Sequence, residues 1–179
     1  DGAKLLYAGE PEKWKAHAAF SENMANRAAK AANEAQTELQ PVTRIIASQA
    51  KADRVASNRR IVQPDGTIVF RGSGVKDPVL HEAPEGLIDP WVRTLTFLNE
   101  KTIIAQVHYY ATHPQSFYGD ERISYDVPGI ARQRLQDETG VYQIYFTGCG
   151  GNIAMGKYND ATRTARDILS ERLYQAMKA

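Results

Sequence analysis

The chain has 179 residues, enough for one domain with a core of its own. Lys plus Arg (22) almost cancels Asp plus Glu (21), so the composition indicates neither a basic nucleic-acid-binding face nor an acidic disordered tail. The single cysteine, Cys149, excludes an internal disulfide framework and a cysteine-rich zinc site.

The chain opens at Asp1 and Gly2, and no signal peptide is visible there. Residues 11–39 read as one long helix. Pro11 suits its first position, and Glu10 and Glu12 suit the positive end of the helix dipole. Trp14, Ala18, Ala25, Ala28, Ala32, Ala35 and Leu39 recur at helical spacing and make a narrow stripe suited to close packing on a sheet. Pro41 ends the helix. A strand is expected over 42–50.

Residues 53–90 are rich in Gly, Pro, Asp and Arg. They predict one short strand near 67–71, entered through the turn at Pro64, Asp65 and Gly66. WVRTLTFL (91–98) and TIIAQVHYY (102–110) predict an antiparallel hairpin. The apolar run at 103–110 is far shorter than the roughly 20 residues of a membrane span.

Asp126 is expected to cap a helix with Ile130, Ala131 and Leu135 on its inner side, ending at Gly140. VYQIYF (141–146) reads as a buried strand, followed by the loop TGCGGNIAMG. A last helix is expected from about Asp160, with Ala161, Ala165, Ile168, Leu169, Leu173 and Ala176 inward. The order predicts an α/β fold: a layered mixed sheet flanked by helices, one segment spanning 1–179 and part of a larger domain. In such folds functional groups gather on loops beyond strand ends, here 111–126 and 147–158.

His113 follows a strand and precedes Pro114 within ATHPQSFYGD. A neutral imidazole there suits metal ligation, with Asp120 or Asp126 as a partner behind it, or a simple bond to loop backbone. His108 reads as packed in the sheet, and His17 and His81 as incidental. In Thr147 to Asn152 the glycines let backbone N–H groups approach a ligand, but the spacing matches no nucleotide-binding pattern. Cys149 reads as a small buried residue. Ser57, Asn58, Arg59 and Arg60 form either a solvated turn or an arginine fork over a carboxylate or carbonyl.

The order of these segments resembles the catalytic domain of the neutral/alkaline (non-lysosomal) ceramidase family. It runs NRR, GLIDPWV, a strand ending in ATHPQS, then SYDVPGIA, then YFTGCGGNIAMG. The resemblance covers roughly residues 10–160 and is most specific within 105–155. It implies that His113 is a zinc ligand and that Arg59 and Asp126 take catalytic positions. It also implies that Gly150, Gly151 and Asn152 lie against substrate. The family loop reads G-D-V-S-P where this chain has Gly151, Asn152, Ile153, Ala154 and Met155, so its acid and its serine are replaced.

The implied activity is zinc-dependent hydrolysis of an N-acyl amide by metal-activated water, on a small-molecule or lipid amide. The family's other zinc ligands match nothing here. Zinc and the remainder of the same protein are therefore expected partners, no nucleic acid or transmembrane segment is expected, and the resemblance implies an extracytoplasmic or secreted location. A non-catalytic binding domain on the same scaffold, or a metal-dependent esterase or carbohydrate-active hydrolase, stands as the alternative.

Overall fold

The computed structural model describes residues 9, 11–117 and 123–179, with backbone alone at Pro11 and Trp14. Two compact units emerge, Asp1–Pro41 and Val42–Ala179. In the first, helix α1 (Pro11–Ala35) ends four residues before the expected position 39 and gives way to a single 3-10 turn (Gln36–Glu38). Thr37 explains the early stop, because its hydroxyl takes the Glu34 carbonyl in place of a helical N–H.

The second unit is built on a four-stranded mixed sheet. Its strands are β1 (Arg44–Lys51), β5 (Trp91–Asn99), β6 (Thr102–Tyr110) and β7 (Tyr142–Thr147), in that spatial order. β1, β5 and β6 are antiparallel neighbours, whereas β7 runs parallel to β6. The parallel pair requires a crossover, supplied by α3 (Asp126–Thr139). Between β1 and β5 lie β2 (Ser57–Asn58), β3 (Arg60–Val62), β4 (Ile68–Phe70) and the short helix α2 (Pro78–Glu82). After β7 come β8 (Ile153–Ala154) and the final helix α4 (Arg163–Lys178). No helix among the described residues is long and apolar enough to cross a membrane.

The mixed α/β architecture agrees with the sequence reading, and so do the hairpin and the strand after turn 64–66. The strand at 142–147, expected buried, is exposed at Tyr142, Phe146 and Thr147. Residues 53–90 hold β2, β3, β4 and α2 where one strand was expected. Three further details differ. Asp126 is not the cap of α3; Tyr125 holds that position, and Asp126 begins the helix at φ +49°. The last helix starts at Arg163, because the Thr162 hydroxyl accepts the Ala165 N–H as an N-cap. Ile168, expected inward, is exposed, while Leu169 and Leu173 carry the buried face.

Helices α3 and α4 pack together on one face of the sheet. Val127, Ala131 and Leu135 of α3 and Leu169, Leu173 and Met177 of α4 close over Val92 and Tyr110. The opposite face is apolar as well, yet Ile45 (56% exposed), Tyr142 (60%) and Phe146 (51%) remain open on it. Tyr109 stacks on Phe146 there, with ring centroids 5.5 Å apart.

Beneath the helices the sheet carries a polar seam. Thr94 Oγ1 lies 2.8 Å from His108 Nδ1, and His108 Nε2 lies 2.7 Å from Gln143 Oε1. The amide oxygen of Gln143 only accepts, so Nε2 is the protonated nitrogen and Nδ1 accepts from Thr94. The ring is fully buried. Burial pulls its pKa below the ordinary 6.5, against the Gln143 bond, which raises it. As pH falls, the unfolded chain therefore takes up the proton first. The neutral ring's contribution is complete above pH 6.5 and is lost as pH falls through the folded value, at up to about 1.4 kcal/mol per pH unit. Denaturant titrations at successive pH values should show this loss, and His108→Gln should flatten it. An unchanged slope in that variant would assign the acid sensitivity elsewhere.

Candidate functional site

The parallel pair β6 and β7 delivers its two following loops side by side at the carboxyl ends of the strands. Gly148 N donates to Tyr110 O at 2.9 Å, which starts the second loop against the first. Gly150 is buried, and a Cβ placed on it would lie 2.9 Å from the carbonyl carbon of Thr112. The glycine is there because two backbones meet. Gly151 faces open space and is exposed.

His113 is fixed by this approach. Its N–H donates to Ile153 O at 2.9 Å, and its Nδ1 lies 2.8 Å from Gly150 O and 3.2 Å from Ile153 O. Carbonyl oxygens only accept, so Nδ1 carries the proton and Nε2 keeps its lone pair. A backbone carbonyl behind Nδ1 is also how metal-binding histidines are commonly oriented.

The 57–60 segment joins from the other side. Ser57 pairs with Ala154 and Asn58 with Ile153 in a two-residue ladder. Arg59 N donates to Asn152 O at 2.9 Å, and Asn152 Nδ2 donates to Asn58 Oδ1 at 2.8 Å. His113, Gly150, Asn152 and the Arg59 backbone thus share one assembly. The guanidinium of Arg59 goes elsewhere: it lies 5.3 Å from the centre of the Phe70 ring and donates to Ser73 Oγ at 3.3 Å. Arg60 is exposed.

Asp126 belongs to the far end of the 113–116 segment. It accepts from Ser116 N at 3.0 Å, from Ser116 Oγ in a short bond, and from Val127 N at 2.7 Å. Its left-handed backbone is held by these bonds and by the Ser124 hydroxyl, which accepts Asp126 N. No hydrogen bond joins it to His113. With Pro114, Tyr125, Arg132 and Tyr145 it lines a cavity of about 460 Å3. Burial pushes the Tyr145 phenol up, so it stays neutral there. Asp120, the other acid considered beside His113, lies outside the described residues.

Ala154 is buried opposite Ser57, whose hydroxyl donates to Ala154 O at 3.1 Å and accepts Lys157 N at 3.2 Å. Cys149 is free and exposed, not buried as expected. Its neighbours in the tight turn, Gly148 and Gly150, lie against the first loop, which leaves the intervening side chain outside.

Sequence reasoning missed Arg71, the best-buried cation among the described residues. Its guanidinium donates to five carbonyls, those of Asn58, Leu80, Ala83, Pro84 and Glu85. It ties the site segment at Asn58 to the α2 loop. Nothing in the local run RGSG distinguishes it from a solvated arginine. His81, read as incidental, also bridges backbone, with Nδ1 2.8 Å from Lys157 O and Nε2 close to Val75 O.

Among the described residues no group of three His, Cys, Asp or Glu side chains converges as a metal site. No family model, curated protein or solved structure matches the chain.

The glycine geometry separates two neighbours that the sequence grouped together. Gly150→Ala is expected to cost about 1–3 kcal/mol, since backbone must shift to admit the methyl, while Gly151→Ala should stay within about 0.5 kcal/mol. Paired thermal melts check this. Equal effects would mean that the two loops do not pack as described.

Proposed function

We propose that the protein carrying this sequence is a ceramidase-like amide hydrolase in which His113 serves as a zinc ligand. The observation behind the reading is the state of His113: its Nδ1 is spent on Gly150 O and Ile153 O, and its Nε2, at the end of a sheet strand, has no hydrogen bond among the described residues. Zinc sites of hydrolases take three protein ligands and leave one position open. The described residues offer no such group, so the other ligands would come from outside them.

Among the described residues, no turn or loop carbonyl takes up the N–H groups of Gly151 and Asn152. They are the donors available to a substrate carbonyl. Asp126, anchored on Ser116, would border the neighbouring cavity as a polar wall and not as the partner of His113. Ala154 has no hydroxyl to attack an acyl group, which makes a covalent serine route unavailable at that position. The apolar open face of the sheet supports a role for the remainder of the same protein as a covering layer, since exposed apolar surface of this kind marks an interface.

The test is a panel of N-acyl amides and simple esters assayed with and without chelator. Amide turnover that stops with chelator and returns with zinc is the expected result. Turnover indifferent to chelator but stopped by a thiol reagent would move the chemistry to Cys149. Turnover of esters alone would favour a metal-dependent esterase, and none on any substrate would favour a binding module.

A further inference from the structure

We infer that the depression between the 54 loop, the Gly156–Tyr158 turn and the start of α4 is a binding site for a phosphate group on a small soluble ligand. It has a volume of about 510 Å3, and its polar side is lined by Arg54, Lys157 and Arg172 together with Asp160, Thr162 and Thr164. It shares no lining residue with the cavity at Asp126.

Three cations converge here, and among the described residues none of them is in an ion pair. The Lys157 ammonium is coordinated by the carbonyls of His81, Glu82 and Ala83, which hold it in place without neutralising it. Arg172 donates to Arg54 O at 2.8 Å, so the backbone that carries Arg54 also orients Arg172. His81 borders the same space, its ring held between the Lys157 and Val75 carbonyls.

The surrounding acids are otherwise engaged. Asp160 is folded back on Thr162 N and Oγ1, Glu85 accepts the Tyr158 hydroxyl, and Asp53 lies 3.5 Å from Lys51. Glu82 contributes its carbonyl to Lys157 and is itself exposed. Burial and the neighbouring Arg71 and Arg54 charges pull the Lys157 pKa down, and burial and Arg54 do the same to Arg172. These cations repel one another in a concave, partly desolvated place. A dianion seated between them relieves that repulsion, and its oxygens find the Thr164 hydroxyl at the same rim, the Thr162 hydroxyl being spent on Asp160.

Inorganic phosphate titrated calorimetrically into the chain at constant ionic strength tests the site. Saturable binding with a single site per chain is expected, and Arg54→Gln and Arg172→Gln should each weaken it about tenfold, the worth of one charge-assisted bond. Arg163→Gln removes the same charge at the same helix end without lining the depression, and should leave the affinity unchanged. Arg172 also supports the Arg54 backbone, so Arg54→Gln, whose side chain makes no hydrogen bond, is the decisive variant. Competition by glycerol phosphate supports a soluble phosphate ester. No saturable binding, an Arg54→Gln variant that binds like the parent, equal loss in Arg163→Gln, or attachment only to phosphatidylglycerol vesicles would overturn the inference.

Discussion

Arg71→Met is expected to destabilise the protein by about 4 kcal/mol, lowering its melting temperature by roughly 10 °C. The guanidinium is 1% exposed, and all its hydrogen-bond partners are carbonyl oxygens, five of them. Methionine fills much of the volume, but it leaves those oxygens without a donor where water does not reach. Each unsatisfied buried group costs about 1–3 kcal/mol. Removing the charge returns part of this, since burial disfavours the charged form and pulls the guanidinium's pKa down. The returned part is the smaller one because the site is built of aligned carbonyl dipoles. Arg71→Lys should fall between parent and Met, because an ammonium has three donors for five acceptors. A methionine variant within about 1 kcal/mol of the parent would show that the α2 loop does not depend on this clasp.

The contrast between Arg71 and the hairpin marks what a sequence can reveal. The strands at 91–99 and 102–110 are neighbours in the chain, joined by a short turn, and their β-branched and aromatic content appears within one window. The strand at 142–147 and the helix before it were legible as elements for the same reason, local periodicity with Gly140 stopping the helix, but their parallel pairing was not. By contrast, Ser57 meets Ala154 across 97 residues, and two-residue strands have no periodicity to read. The helix at 78–82 is too short for an apolar stripe and is held by the Asp77 cap. At the site, His113 was singled out because it follows a strand. Its tautomer was not legible, since it depends on carbonyls 37 and 40 residues away. Asp126 was expected beside it, but its carboxylate accepts Ser116 N and the Ser116 hydroxyl instead.

His113→Asn should lower amide hydrolysis by more than about a hundredfold, because loss of a ligand is no milder than loss of the groups that merely orient one. Asparagine is the informative replacement. Its side-chain N–H2 reproduces the donor that Nδ1 presents to Gly150 O and Ile153 O, so the two loops should stay joined, while the lone pair of Nε2 disappears. A purely structural histidine would tolerate this exchange. The most direct measurement is therefore the rate of N-acyl amide hydrolysis by the protein carrying this sequence, parent against His113→Asn, each after chelation and again after zinc is restored. The account predicts a parent rate that zinc restores and a folded variant, with an unchanged melting temperature, whose rate zinc does not restore. A folded variant that regains the parent rate with zinc would contradict it.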